Sequence, residues 1–391
     1  MTKNVFIVGS RGIPARYGGF ETFAQKLIEN KQSPNIKYFI ASLKSNNNPV
    51  IPTPTFEYKG ATVFQIDVGH FGAATPIVYD IKAIRWTINF VKNNHIEGAV
   101  IYILGNTIGP LLKMFGAQFQ KWNITVFVNP DGLEWKRAKW PKPVRAYLKF
   151  AEASMVKTAD LIISDNPGIE EYLRYTYSDI NFSSKYIAYG VETPELSGKL
   201  LNQKGRTWLE EHHLNEDEYY LVVGRFIPEN NYETILREFM AARTNKKLVI
   251  ITQASGKFFD YLKNKTHFDK DSRIMFAGTV YDSELLCFLR TKAYGYIHGH
   301  SVGGTNPSLL EALGTTKLNL LYDVNFNRYV GQESALYWSL KQMNLAKLIE
   351  KADRLSDNQI ENFDRMSRKR ILSEYSWTKI SREYESLFLK G

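Results

Sequence analysis

An α/β fold built from two parallel-sheet domains is predicted by three observations: a strand–helix rhythm that runs through the chain twice, a length of 391 residues, and glycine-rich loops that recur where strands end. A chain of this length exceeds one ordinary core, so two domains are expected. Short runs rich in β-branched and aromatic residues fall at 4–8, 36–42, 99–104, 124–129, 161–164 and 186–189, and helix-patterned stretches at 19–29, 79–93, 143–158 and 168–175 lie between them. The rhythm restarts after residue 192, with runs at 219–223, 247–252, 273–276, 295–298 and 318–321. Alternation of this kind predicts parallel sheets covered on both faces, hence two Rossmann-like domains. The turn-forming segment 190–194, Gly-Val-Glu-Thr-Pro, fits the linker between them.

Composition narrows the setting. Hydrophobic residues at 44% leave ample material to bury, and Cys287 is the sole cysteine, so no internal disulfide forms and a reducing compartment is expected. The apolar run near the N-terminus is too short for a signal peptide or a membrane span, and no later run approaches spanning length. A cytoplasmic protein, soluble or held peripherally at the inner face of the plasma membrane, is the expectation. The net charge of +10 is uneven: residues 1–192 carry 22 Lys+Arg against 15 Asp+Glu, and residues 193–391 carry 28 against 25. The first half therefore pulls harder on anionic partners. Zinc-finger spacing, RNA-binding signatures and basic tails are absent, which disfavours nucleic acid.

In open parallel sheets, ligands bind beyond the C-terminal ends of strands. The informative loops all fall there. Residues 296–311, Tyr-Ile-His-Gly-His-Ser-Val-Gly-Gly-Thr-Asn-Pro-Ser-Leu-Leu-Glu, pass from strand through glycine loop into helix, an arrangement whose backbone N–H groups suit a phosphate. Glu311, about one turn into that helix, is able to accept hydrogen bonds from hydroxyls of the group carrying the phosphate. Phosphate plus polyol points to a nucleotide. Three further loops follow strands: 9–22, Gly-Ser-Arg-Gly-Ile-Pro-Ala-Arg-Tyr-Gly-Gly-Phe-Glu-Thr; 130–137, Pro-Asp-Gly-Leu-Glu-Trp-Lys-Arg; and 224–231, Gly-Arg-Phe-Ile-Pro-Glu-Asn-Asn.

Plainer readings exist for each part alone. The glycine pair 18–19 is a tight turn, Arg225 a surface ion pair, Asp131 with Gly132 a β-turn, Glu134 a helix cap, and His298 and His300 satisfied loop histidines. Asp269 and Asp271 form the one Asp-x-Asp pair singled out, and they sit in a charged turn rather than beside the glycine loop, so no metal site is expected. The stretch 136–150 holds six cations, three aromatics and no acid. It reads either as an exposed helix face or as a patch for anionic lipid headgroups.

Taken together and in order, the four loop motifs resemble those of GT-B glycosyltransferases of sequence family 4, over essentially the whole chain. Within that family the chain is similar to the bacterial β-1,4-rhamnosyltransferase subgroup that starts streptococcal-type surface polysaccharides. The resemblance implies a GT-B fold with two Rossmann-like domains facing across a cleft. Residues 1–190 form the acceptor domain and 195–372 the donor domain, while a last helix over 376–391 crosses back to the first. It implies net retention without a metal or cofactor, with dTDP-β-L-rhamnose as donor and a lipid-diphosphate-linked GlcNAc or glucose as acceptor. Asp131, Arg225 and Glu229 take the catalytic positions. Asn230, His298, His300, Gly303, Gly304, Thr305, Asn306, Ser308 and Glu311 line the donor site. Arg16, Tyr17, Gly18, Gly19, Glu21, Glu134 and Arg137 line the acceptor site. Two positions depart from the family pattern: Asn230 replaces a lysine, and Gly303 replaces the first acid of a glutamate pair. A glucose or galactose donor, or a non-catalytic nucleotide-sugar-binding scaffold, are the alternatives. An epimerase is disfavoured because the loop after the first strand reads Gly9-Ser-Arg-Gly12 rather than Gly-x-Gly-x-x-Gly.

Overall fold

The computed structural model describes residues 2–15, 18–44, 53–137, 139–192 and 199–391. The chain divides into two compact units, Met1–Gly190 with Ser376–Gly391, and Val191–Tyr375.

The first unit runs β1 (Lys3–Val8), α1 (Gly19–Glu29), β2 (Ile36–Leu43), β3 (Thr55–Tyr58), β4 (Ala61–Ile66), α2 (Thr75–Asn93), β5 (Val100–Leu104), α3 (Gly109–Leu112), α4 (Gly116–Lys121), β6 (Thr125–Asn129), α5 (Lys142–Thr158), β7 (Leu161–Ser164), α6 (Pro167–Thr176) and β8 (Ser184–Tyr186). Its sheet has the order β3-β4-β2-β1-β5-β6-β7-β8. Side chains alternate across it with a period of two. Phe6, Val8, Phe39, Ala41, Ile101 and Ile103 enter one core with Ala83 and Ile84 of α2. Tyr38, Tyr102 and Phe127 point to the other face. There they meet the C-terminal helix, which is numbered with the second unit's helices as α15 (Trp377–Lys390).

The second unit contains α7 (Lys199–Glu211), β9 (Tyr219–Val223), α8 (Tyr232–Ala241), β10 (Lys247–Ile251), α9 (Gly256–Thr266), β11 (Ile274–Phe276), α10 (Ser283–Thr291), β12 (Gly295–His298), α11 (Pro307–Thr315), β13 (Asn319–Tyr322), α12 (Asn325–Gly331), β14 (Leu336–Trp338), α13 (Asn344–Ala352) and α14 (Asp357–Glu374). Its six strands lie parallel in the order β11-β10-β9-β12-β13-β14. Tyr220 and Val222 of β9 enter one core and Tyr219 and Leu221 the other, so helices cover both faces.

The first sheet departs from the all-parallel expectation at one edge. β3 pairs antiparallel with β4 through the two-residue turn Lys59-Gly60, both in the left-handed region at φ 49° and 81°. A two-residue turn of that kind is what an antiparallel hairpin requires. β3 is only half covered, and its short pattern carries too little apolar character to register as a strand. β14 escaped the sequence reading for a similar reason, having three residues at a sheet edge. β8 starts at Ser184, two residues before the expected run.

α15 is fastened to the first unit along its C-terminal half. The nearly buried Glu385 carboxylate accepts backbone N–H bonds from Gln32 at 3.0 Å and Ser33 at 2.7 Å. Lys3 Nζ donates to the carbonyl of Gly391 at 2.6 Å. No helix among the described residues is long and apolar enough to cross a membrane.

Phe388 is fully buried among Tyr38, Tyr102, Phe127 and Tyr384. Its truncation leaves an aromatic-sized cavity, so Phe388→Ala is expected to lower stability by about 3–5 kcal/mol in chemical denaturation. A loss below about 1 kcal/mol would contradict this packing role for α15.

Candidate functional site

β9 and β12 are neighbours at the centre of the second sheet, where the strand order reverses: β10 lies to one side of β9 and β13 to the other side of β12. Loops leaving the C-terminal ends of such a pair diverge and open a crevice. Here the two loops, 224–231 and 299–306, are fastened together. Ser301 donates from both N and Oγ to the Glu229 carbonyl, at 2.9 and 2.8 Å. Asn231 Nδ2 donates to the Gly299 carbonyl at 2.8 Å. The backbones approach so closely that a Cβ at residue 299 would run into the Asn230 carbonyl.

Asn230 ties this loop pair internally. Its Nδ2 donates to the Arg225 carbonyl at 2.6 Å, which leaves Oδ1 to accept from His300 Nδ1–H at 2.7 Å. The Arg225 guanidinium is exposed and has no ion-pair partner among the described residues, so the plain ion-pair reading does not hold. His298 is buried beneath the loop, and burial, helped by His300, pushes its imidazole down to about 3. It is therefore neutral at physiological pH, and its Nε2 has no partner among the described residues.

The amides that face outward differ from those the sequence suggests. Asn306 caps α11 and takes up its first-turn N–H groups: Ser308 N bonds Asn306 Oδ1 at 2.9 Å, and Leu309 N bonds its carbonyl at 3.0 Å. Pro307 has no N–H to offer. The helix terminus is thus already satisfied, and the unengaged donors move into the loop, where the amides of Val302, Gly303 and Gly304 bond no backbone carbonyl among the described residues. Successive loop amides of this kind suit an anion. Gly303 has φ +134°, which a side chain rarely adopts, so the loop path itself excludes an acid at that position.

Glu311 projects from α11 with its side chain 41% exposed, and its Oε2 pairs with Arg290 at 2.6 Å. Arg290 lies on α10 with its side chain only 4% exposed, and it also reaches Ser308 Oγ at 3.3 Å. The hydroxyls of Ser308 and Tyr296 meet at 3.1 Å, and Tyr296 donates to the Val223 carbonyl at 3.0 Å. Arg290 was not foreseen. Thr305 is buried in the same loop.

In the first unit, the reversal of strand order falls between β1 and β5. Gly9, at φ +98°, lies against the Leu104 carbonyl where a Cβ would collide, so the loop after β1 hugs the end of β5. Arg16 and Tyr17 fall outside the described residues. Gly18 has φ +144°, and a Cβ there would strike the Glu21 carboxylate. Glu21 Oε1 accepts from Arg11 N at 2.9 Å, so Glu21 braces this loop, while a Cβ on Gly19 would meet nothing. Two residues absent from the sequence reading adjoin it: Tyr79 donates to the Ser10 carbonyl at 2.6 Å, and burial pushes the neighbouring Asp80 carboxyl up to about 8.

Asp131 follows β6 in the left-handed region at φ 49°, its amide bonded to Asn129 Oδ1 at 3.0 Å. Leu133 repeats that conformation at φ 55°, folding the loop sharply back. Burial pushes the Asp131 carboxyl up to about 7; Glu134 and Asp165 add to the rise, and Arg137 and Lys139 oppose it. A carboxyl near 7 exchanges its proton readily at neutral pH. Glu134 closes the loop, pairing with Arg137 at 2.5 Å and Lys139 at 2.8 Å and accepting from Trp140 Nε1 at 2.9 Å.

These pairings shrink the basic patch read from residues 136–150. Arg137 and Lys139 are held by Glu134, Arg145 donates to the Trp135 carbonyl at 2.9 Å, and Lys149 pairs with the buried Glu152 at 3.0 Å. Lys136 rests over the Trp135 and Tyr172 rings. The acids responsible lie just outside the basic stretch, which is why the stretch alone looked unpaired. Phe150 remains 60% exposed, while Tyr147 is tied to the Thr107 carbonyl at 2.8 Å. In the turn before β11, Asp271 is engaged by Arg273 at 2.6 Å and Asp269 by Lys263 at 3.3 Å.

Across the whole chain, sucrose-phosphate synthase from Thermosynechococcus elongatus superposes with a TM-score of 0.75 at 15% identity, covering 99% of this chain and 98% of that one. A glycosyltransferase from Rickettsia africae ESF-5 gives 0.74 at 12% identity, covering 100% and 98%. The fold is GT-B. A third GT-B structure, described as trehalose-6-phosphate from E. coli bound with UDP-2-fluoro glucose, gives 0.72 at 11% identity and covers 99% of each chain. At these identities the likeness is one of fold. Residues 2–192 match a family model described as a domain of unknown function, DUF1972, which spans most of the first GT-B unit. No curated protein matches the sequence.

The raised Asp131 carboxyl has a measurable consequence. Between about 3.9, the ordinary carboxyl value, and about 7, the folded chain keeps a proton that the unfolded chain has released, so stability falls as pH rises through this window. Asp131→Asn removes that cost. Its stability relative to wild type is expected to rise from pH 4 to pH 7 by on the order of 2 kcal/mol and then level off. A pH-independent difference in denaturant titrations would contradict it.

Proposed function

We propose that the protein is a retaining, metal-independent glycosyltransferase of cell-surface polysaccharide synthesis. It moves L-rhamnose from dTDP-β-L-rhamnose to a GlcNAc or glucose carried on a lipid diphosphate. One observation carries the transferase reading. At the strand-order reversal of the second sheet, one loop pair carries Arg225, with no ion-pair partner among the described residues, and the amides of Val302, Gly303 and Gly304, which bond no backbone carbonyl there, and it leads into the helix that bears the Arg290-paired carboxylate of Glu311. Cationic and amide donors suit a diphosphate, and a carboxylate suits ribose hydroxyls.

In this reading the bond between the anomeric carbon and the diphosphate oxygen breaks, and the acceptor oxygen bonds to that carbon on the same face. Arg225 and the loop amides stabilise the negative charge gathering on the departing diphosphate. Asp131, with its carboxyl near 7, is the proton acceptor that the first unit offers an acceptor hydroxyl. Glu134 and Arg137 hold the shape of the Asp131 loop rather than contacting substrate directly. Glu229 contributes its carbonyl to the clamp on Ser301. Rhamnose rests on the motif resemblance, and Gly303 supports it: an acid-free position suits a sugar with a different hydroxyl pattern. A glucose donor is the second reading, favoured by the UDP-2-fluoro glucose in the E. coli relative of the fold. The lipid acceptor requires reversible membrane docking, for which Lys136, Lys142 and Phe150 are the remaining candidates of the basic stretch.

A screen of nucleotide-sugars with the lipid-diphosphate acceptor in anionic vesicles tests this. The expected result is protein-dependent dTDP release from dTDP-rhamnose that survives EDTA and weakens when the vesicles are neutral. Arg225→Ala should slow it by about 10²–10³-fold. Nucleotide binding without turnover of any donor would make the protein a scaffold, and a folded Arg225→Ala protein of normal rate would remove Arg225 from the site.

A further inference from the structure

Arg290 sits where a cation is costly. It lies in the last turn of α10 with its side chain only 4% exposed, and its Nε is buried without a partner among the described residues. Its hydrogen bonds there run through Nη2 alone, to Glu311 Oε2 at 2.6 Å and to Ser308 Oγ at 3.3 Å. Ser308 is held in turn, its Oγ meeting the Tyr296 hydroxyl at 3.1 Å and donating to the Val223 carbonyl at 3.3 Å. The carbonyl end of α10 favours a cation. Enclosing an unpaired donor nevertheless carries a desolvation penalty, and apolar side chains of similar size often fill such a place as stably. Stability alone therefore does not account for the pair.

What the pair does is fix a carboxylate. Glu311 stands on α11, the helix into which the glycine loop leads, with its side chain 41% exposed. Its Oε2 is held by the buried guanidinium, and its Oε1 has no hydrogen-bond partner among the described residues. A carboxylate with both oxygens open takes two neighbouring hydroxyls, one on each; a carboxylate pinned at Oε2 presents a single oxygen. Arg290 itself is too enclosed to serve phosphate, which Arg225 and the amides of Val302, Gly303 and Gly304 are placed to meet.

We propose that Arg290 is a positioning residue that makes Glu311 a one-oxygen acceptor, so that the site reads a single pentose hydroxyl of a nucleoside diphosphate and takes 2′-deoxyribose and ribose alike. The hydroxyl read is the 3′-hydroxyl, which both pentoses keep. This rests on the nucleotide-sugar reading of the site and deepens it: a deoxyribose donor loses no contact here.

Calorimetric titration of the full chain and of Arg290→Met tests it, with UDP, 2′-deoxy-UDP and 3′-deoxy-UDP, which share one base and one diphosphate. In wild type the 2′-deoxy nucleotide should bind within about twofold of UDP, and the 3′-deoxy nucleotide about tenfold more weakly, the scale of one hydrogen bond to a carboxylate. In Arg290→Met the penalty for losing the 3′-hydroxyl should shrink to about twofold, because the carboxylate is no longer held. The 3′-deoxy nucleotide itself should bind this variant within about twofold of wild type. A 2′ penalty equal to the 3′ one or above it would show a carboxylate that chelates both hydroxyls, and no 3′ penalty would show one that reads neither. Either result overturns the proposal from the wild-type data, whether or not the variant folds. Equal losses for all three nucleotides in a folded Arg290→Met would assign Arg290 to the diphosphate, and an unchanged 3′ penalty would remove it from hydroxyl recognition; both overturn the proposal. Wild-type protein that binds none of the three would instead overturn the nucleotide-sugar reading itself, and this inference with it.

Discussion

Much of the second unit's candidate site depends on one close approach of backbone to backbone. The Gly299 Cα lies against the Asn230 carbonyl with no room for a side chain, and from that contact the loops after β9 and β12 become one body. Ser301 then reaches the Glu229 carbonyl, Asn231 the Gly299 carbonyl, and Asn230 the His300 ring. A bulkier residue at 299 would push the loops apart and break several of these bonds together. Arg225, the glycine loop and His300 hold their relative positions because neither loop moves alone.

A different principle organises the loop that carries Asp131. Two successive left-handed turns fold it back on itself, and charge pairs close it. Behind it, the buried Glu152 accepts from Tyr172 and Tyr177, at 2.7 and 2.6 Å, while Trp135 Nε1 donates to Tyr172 at 3.1 Å. Cations that look available for an external partner are thus consumed in setting the loop's shape. The Asp131 carboxyl sits among these charges partly buried, and desolvation outweighs the nearby Arg137 and Lys139 in setting its proton affinity. Both loops pair a fixed framework with one group left in an environment that favours chemistry.

The fold was legible because parallel strands buried on both faces read as unbroken apolar runs; β7, β9 and β12 match the sequence reading to the residue. The β3–β4 hairpin was not: β3 is a half-exposed edge strand, and β4, though largely buried, is interrupted by Thr62 and Gln65 and so is no unbroken apolar run. Within the site, glycine loops at strand ends were visible for the same local reason. Arg290 was hidden, because nothing near residue 290 says that its guanidinium will meet Glu311 on another helix. Asp80 was hidden in the same way, as its burial follows from the packing of α2 and not from its sequence neighbours. The capped terminus of α11 shows a subtler failure. Asn-Pro-Ser reads equally as an anion site and as a self-satisfied cap, and only the observed bond from Ser308 N to Asn306 separates them.

The central claim is that the loops 224–231 and 299–306 act as a single anion-binding body. Hydrogen–deuterium exchange with and without a saturating nucleoside diphosphate tests it most directly. The account predicts that amides in both loops gain protection together, over the same range of ligand concentration, with Val302, Gly303 and Gly304 protected most. Protection of one loop alone, or protection confined to the loops of the first unit, would contradict it.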